Sequence, residues 1–209
     1  MKRFAFSILF LPLLIFAQPL SQVSFVAFDT ETTGLSPQKN RIIEIGAVKF
    51  QAGKIIDSTH WLIQPEYPVK NSHIHHITNA MLTNAPAFPV AYEAFKDFVG
   101  DSVLIAHNAS FDVRFMRAEI RRNHLDPLPN PVVDSLALFR YWYPDASSHK
   151  LGALAKEMNI PTKKLHRAEE DSRILLCILQ KGIRTHPKTT LEDLRPTLHG
   201  FYYFDGSRK

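Results

Sequence analysis

Asp29 and Glu31 stand two residues apart in the stretch Phe28-Asp29-Thr30-Glu31-Thr32-Thr33-Gly34-Leu35. Directly before them runs Val23-Ser24-Phe25-Val26-Ala27-Phe28, apolar enough to read as a short, fully buried strand. Residues two apart on a strand project to one side, so both carboxylates would face the same point. Like charges at that spacing repel and raise each other's pKa, and a divalent cation removes the conflict. Taken alone, an Asp-x-Glu is more often a solvated strand end than a ligand pair. Gly34 adds a backbone turn through which a ligand could approach closely.

A third acid, Asp112, closes a second segment, Leu104-Ile-Ala-His-Asn-Ala-Ser-Phe-Asp112, where a buried strand leads into an arginine-bearing helix. In the first turn of that helix a carboxylate favours the dipole; the functional reading is that the strand end brings Asp112 beside Asp29. The third segment, His166-Arg-Ala-Glu-Glu-Asp171, opens the last long helix. It offers an oxygen ligand about one turn in, with a titratable imidazole in the loop before it. Glu169 and Glu170 at such a helix start are ordinary dipole partners. Each segment is weak alone, but the three together, in this order, are specific.

The elements that must position them follow an α/β rhythm. Arg41–Phe50 and Lys54–Gln64 read as strands joined by the hairpin link Gln51-Ala52-Gly53. The spacing predicts helices over Ala87–Val99, Phe111–Asn123, Ser135–Tyr143, Lys150–Met158 and Ala168–Ile183, and strands at Ser102–Ala106 and Val132–Val133. The expected fold class is therefore α/β, one mixed sheet flanked by helices. The chain has 209 residues, 45% hydrophobic and 22% charged, which excludes wholesale disorder, collagen and a bare coiled coil. A single cysteine, Cys177, excludes a disulfide framework or a multi-cysteine metal site, and its apolar helical neighbours predict a buried, inert thiol. The net charge of +5 permits a polyanionic partner without demanding one.

Met1-Lys2-Arg3 precedes fourteen uncharged residues, Phe4–Ala17, the layout of a secretory signal peptide. The run is short for a bilayer span, which needs about 20 residues. Residues 1–17 are thus expected to be a leader, pointing to a periplasmic or extracellular location; a mis-called start would leave the chain cytoplasmic. No integral membrane domain is expected.

Across about Ser24–Gly182 the chain resembles the DEDD exonucleases of the histidine-bearing branch. Members of that family include the proofreading epsilon subunit of bacterial DNA polymerase III and ribonuclease T. The resemblance is carried by FDTETTGL, IIEIGAVKF, IHHIT, HNASFD, VVDSLALFR, HKLGALAKEMNI and HRAEED. It implies a ribonuclease H-like, five-stranded mixed sheet and an exonuclease domain over 23–184, with 185–209 as a short tail. It further implies that Asp29, Glu31, Asp112 and Asp171 are the metal-binding acids for two Mg²⁺ or Mn²⁺ ions, and that His166 is the general base. Thr32, Thr33, Leu35, His75 and Asn108 match positions that hold the terminal nucleotide or orient the site loop; local turn architecture is the competing account of each.

The implied reaction is 3′-to-5′ hydrolysis of phosphodiesters at single-stranded DNA or RNA 3′ ends, DNA favoured, releasing nucleoside 5′-monophosphates. Alternatives are a secreted or envelope-associated scavenging nuclease or exoribonuclease of the same fold, and a non-catalytic nucleic-acid-binding domain. A DNA polymerase subunit is a further partner if the chain is cytoplasmic, with Leu191, Leu194, Leu198 and Phe201 as the apolar points of a docking tail. The sequence departs from the family at His76, where a glycine is usual. The arginines of the second motif's helix, Arg114, Arg117, Arg121 and Arg122, read either as a phosphate guide or as a solvated face.

Overall fold

The computed structural model describes residues 17–162 and 167–208. Most of the leader, residues 1–16, and the expected base, His166, lie outside the described residues. Five strands form one sheet: β1 (Phe25–Thr32), β2 (Ile42–Gln51), β3 (Lys54–Leu62), β4 (Val103–Ala106) and β5 (Val132–Asp134), in spatial order β3-β2-β1-β4-β5. β1, β2 and β3 pair antiparallel, while β4 and β5 join parallel to β1. This is the mixed sheet that the sequence pattern predicts, with the five strands that the resemblance implies. The β2–β3 hairpin turns at Ala52 and Gly53, both in the left-handed region at φ 49° and 77°, which matches the strand twist.

Strand alternation divides the interior into two layers. Phe25 and Ala27 of β1 point to one face, together with Val48, Phe50 and Ile105. That face is covered by α5 (Ser135–Trp142), α6 (Leu151–Glu157), α7 (Ala168–Thr185) and α8 (Leu191–Thr197). Val26 and Phe28 point the other way, with Ala47 and Leu104, under α3 (Phe88–Val99) and α4 (Ser110–Arg122). Single-turn helices α1 (Ser72–His75) and α2 (Asn79–Leu82) shape the loop after β3. One turn is too short for a hydrophobic period, so neither is legible in the sequence.

The segment after Thr185, expected as a tail, is packed into the core. Leu191, Leu194, Leu198 and Phe201 lie within the α5–α7 layer, and Phe204 reaches the opposite layer, edge-on to Phe28. Those side chains therefore form no docking face. Tyr202 exchanges two backbone hydrogen bonds with Val132 of β5, at 2.8 and 3.1 Å, which covers the edge strand. At the other end of the segment, Leu20 N–H donates to Thr189 O at 2.9 Å. The signal for α8 was present in the sequence: Thr190 and Asp193 form a capping box. Cys177 is half-buried rather than fully enclosed, with its thiol pushed up by burial. Among the described residues, no helix is long and apolar enough to cross a membrane.

Because Phe201 is wholly enclosed, Phe201→Ala should lower the unfolding free energy by about 3–5 kcal/mol, read from urea denaturation. A loss within about 0.5 kcal/mol would place the segment outside the cooperative unit.

Candidate active site

Strand alternation also sorts the acids. Asp29 and Glu31 continue the face of Phe25 and Ala27, so they point toward the layer that holds α7. There they meet Asp171: one carboxylate oxygen from each of the three lies within 4.8 Å of the others. Thr30 points to the opposite side, where Asp112 of α4 accepts hydrogen bonds from Thr30 N–H at 3.0 Å and Thr30 Oγ1–H at 2.7 Å. Asp112 is thus held across the strand from the three-acid group, close enough for its charge to act on Asp29.

The placement of Asp171 depends on β2. In the β1–β2 register Asp29 lies opposite Gly46, and Glu31 opposite Glu44. A methyl group at Gly46 would overlap the Ala168 carbonyl carbon and the Glu169 nitrogen, so only glycine lets the start of α7 lie directly on the sheet. Glu44, fully buried, anchors it. Its carboxylate accepts from Arg167 Nη2 at 2.7 Å, Arg167 Nε at 3.3 Å and the Ala168 N–H at 3.1 Å. The helix has no capping side chain of its own; the cap comes from the neighbouring strand. Neither Glu44 nor Gly46 stands out as a site residue in the sequence, although a lone acid inside Ile-Ile-Glu-Ile-Gly-Ala-Val signals a buried partner.

Crowding these carboxylates away from water raises their proton affinity. Burial first, then the charges of Asp112, Glu31 and Asp171, push Asp29 well above the ordinary carboxylate range. Burial and the charge of Glu44 push Glu31 up to about 8. Asp112 rises to about 7 through burial, against the opposing hydrogen bonds from Thr30. Converging oxygen donors with raised proton affinity suit a hard divalent cation, which would replace the protons.

The remaining predicted residues surround this cluster. Thr32 Oγ1 donates to Gly34 O at 2.7 Å, and Thr33 Oγ1 accepts from Arg41 N–H at 3.0 Å. Both hydroxyls therefore serve the loop. Leu35, by contrast, is 83% exposed. His75 is buried, and its Nδ1 accepts from Ile77 N–H at 3.1 Å, which assigns the ring proton to Nε2. That Nε2 is enclosed and has no hydrogen-bond partner among the described residues, and burial lowers the pKa of the ring, which keeps it neutral. His76 adopts φ 60°, the left-handed conformation that makes glycine usual there, and histidine tolerates it better than most residues. Asn108, also left-handed at φ 60°, lines a cleft of about 930 Å³ with Asp171, His107, Arg140, His149 and Lys150. His149 holds that wall in place, with Nε2 bonded to Tyr143 O at 2.9 Å and its carbonyl bonded to His107 Nε2 at 2.9 Å.

Comparison with known proteins identifies the family and the fold. The exonuclease family model matches residues 26–179. The epsilon subunit of DNA polymerase III from Treponema pallidum is 41% identical over 170 residues, covering 79% of each chain. A PolC-type DNA polymerase III from Clostridium perfringens is 42% identical over 161 residues, which are 75% of this chain and 11% of that protein. The chain therefore spans only a small part of the PolC-type relatives it matches. Among solved structures, exonuclease X in complex with 5′-overhanging duplex DNA superposes with a TM-score of 0.67 at 28% identity, covering 83% of this chain and 99% of that one. The nuclease domain of 3′hExo, a DEDDh family member bound to rAMP, shares the fold with a TM-score of 0.72 at 17% identity, over 80% of this chain and 95% of that one. A family match across the whole sheet, and through the helix that supplies Asp171, establishes that this chain belongs to the exonuclease family.

Proposed function

We propose that this chain is a metal-dependent 3′-to-5′ exonuclease that hydrolyses the terminal phosphodiester of nucleic-acid 3′ ends and releases nucleoside 5′-monophosphates. The observation that carries this reading is the convergence of Asp29, Glu31 and Asp171 oxygens within 4.8 Å, with Asp112 locked across the same strand. A DNA substrate is favoured by the relatives' own names, which are those of DNA polymerase III proteins.

Asp29, Glu31 and Asp171 are the residues that would hold Mg²⁺ or Mn²⁺, with Asp112 adding charge from across the strand. Such ions, when bound as a pair, neutralise the phosphate and stabilise the attacking and leaving oxygens of an in-line displacement. His166 is the proposed general base, taking the proton of the attacking water, a task suited to a group that titrates near neutrality. Arg167, its neighbour in sequence, is clamped by Glu44 to the sheet that carries Asp29 and Glu31. His75 Nε2–H, which has no acceptor among the described residues, would need its enclosing loop to open before it could donate to a phosphate oxygen. Thr32 and Thr33 have committed their hydroxyls within the loop and so offer backbone groups to the terminal sugar. Leu35, exposed at the loop tip, supplies an apolar surface against the last base.

Asp29→Asn and His166→Ala should each reduce mononucleotide release from an oligonucleotide by more than about 100-fold in Mn²⁺. Parental rates in these variants, or no mononucleotides from the parent protein, would defeat the enzymatic reading. Glu44→Gln keeps the side-chain volume and removes the charge that holds Arg167. Steady-state kinetics should then show kcat falling by about 10- to 100-fold with KM little changed, since Glu44 does not face substrate; a change confined to KM would contradict the positioning role.

The raised carboxylates give a pH signature. Without metal, Glu31 and Asp112 keep protons up to about 8 and about 7, whereas unfolded carboxylates release them near about 4. Between those limits the folded state binds more protons, so its stability falls as pH rises. The Tm of chelated protein should decline from about pH 5 to about pH 8, and Mn²⁺ should raise Tm more at the upper end because binding displaces those protons. Stabilisation by Mn²⁺ that does not change with pH in differential scanning fluorimetry would rule out a shared carboxylate site.

A further inference from the structure

The helix that supplies Asp112 carries a second feature that the catalytic cluster does not use. Of the acids on α4, Asp112 and Glu119 are both buried, so the outward face presents Arg114, Arg117, Arg121 and Arg122 with no exposed carboxylate of its own. These arginines repeat at three- and four-residue spacing, where like charges repel. Arg114 also sits near the N-terminal end of the helix, where the dipole disfavours a cation. Arg121 and Arg122, in the last turn, suit the dipole, so the local gain is confined to that end of the helix.

The arginines open onto a cavity of about 610 Å³, closed on its other side by Pro37 and Gln38, with His124 at one end. No carboxylate lines it among the described residues. Pro37 and Gln38 belong to the loop that presents Leu35, and that loop is pinned to α4 because Arg122 Nη2 donates to Pro37 O at 3.0 Å. Arg122 is partly neutralised by Glu119, 2.7 Å away, and Arg117 is packed under the turn at Gly206. Arg114 and Arg121 are exposed. From Arg114 to Arg121 the helix advances about 10 Å, at about 1.5 Å per residue, close to the rise of about three stacked nucleotides at about 3.4 Å each.

Resting on the exonuclease reading above, we propose that this arginine-lined cavity binds the phosphodiester backbone of the nucleic acid beyond the nucleotide being removed. Its position behind the Leu35 loop separates it from the acids that would hold the scissile phosphate. It would therefore contribute to affinity and to salt dependence while leaving the bond-breaking step unchanged. The backbone it holds belongs either to the upstream part of the cleaved strand or to a complementary strand parted from it at Leu35.

The test compares the parent with Arg114→Ala/Arg121→Ala by fluorescence anisotropy in EDTA, using a labelled oligothymidylate of about 12 nucleotides and a duplex with a recessed complement. Binding is read without turnover, so failure of the exonuclease reading and failure of this one remain distinguishable. Removing two phosphate contacts should lower the salt slope by about 1.4. Between about 50 and about 200 mM salt, the parent's Kd should then rise about 7-fold more than the variant's. The same loss on single strand and duplex assigns the cavity to the cleaved strand, and a loss confined to the duplex assigns it to the complement. Arg114→Lys/Arg121→Lys should keep most of the affinity. Hydrolysis of the p-nitrophenyl ester of thymidine 5′-monophosphate, which has no further backbone, should be unchanged in the alanine variant. Unaltered binding of both the oligothymidylate and the duplex would overturn the proposal. So would an alanine-like loss in the lysine variant, or an equal loss of activity on the ester, because each would indicate a disturbed helix rather than a missing charge.

Discussion

The contact between Gly46 and the start of α7 is the constraint on which the site depends. Asp171 can reach Asp29 and Glu31 only if its helix lies on the sheet at backbone distance, and a single methyl group at Gly46 would prevent that. Glu44 then works as a cap supplied by the sheet, using one carboxylate to satisfy a helix-terminal N–H and a guanidinium together. The cost of enclosing Glu44 is met by three donors rather than by solvent.

Around that contact, the period of two along β1 distributes the chemistry. Odd positions send Asp29 and Glu31 toward α7, and the even position sends Thr30 toward α4, where it fixes Asp112. The strand thus turns its own two acids to one side and uses the residue between them to hold Asp112, whose charge still acts on Asp29. Three share a point of convergence, while the fourth acts across the backbone, held by two hydrogen bonds that partly offset its burial. Negative charge concentrated in this way is unfavourable for the folded chain alone, and a bound cation would relieve it.

The C-terminal segment shows the same economy of surface. Its backbone pairs with the edge strand β5, its aromatic residues enter both layers, and its turn at Gly206 packs on Arg117 of the helix that carries Asp112. A stretch that reads as an appendage is therefore continuous with the scaffold of the site.

Much of this was legible in the sequence. The five strands and helices α3 to α7 follow from hydrophobic period and turn residues, and the three acidic motifs announce themselves because each interrupts or directly follows an apolar element. The single-turn helices α1 and α2 were not legible, since one turn holds no period. Nor was the packing of Leu191, Leu194, Leu198 and Phe201, because an amphipathic stretch does not name the surface that covers it. The sequence by itself determined that Asp29 and Glu31 share one side of β1, since alternation along a strand is a local property. Only the tertiary structure decided that Glu44 and Gly46 carry α7, and that Asp112 sits across the strand from the other three acids, because strand register and helix seating arise from contacts between residues distant in the chain.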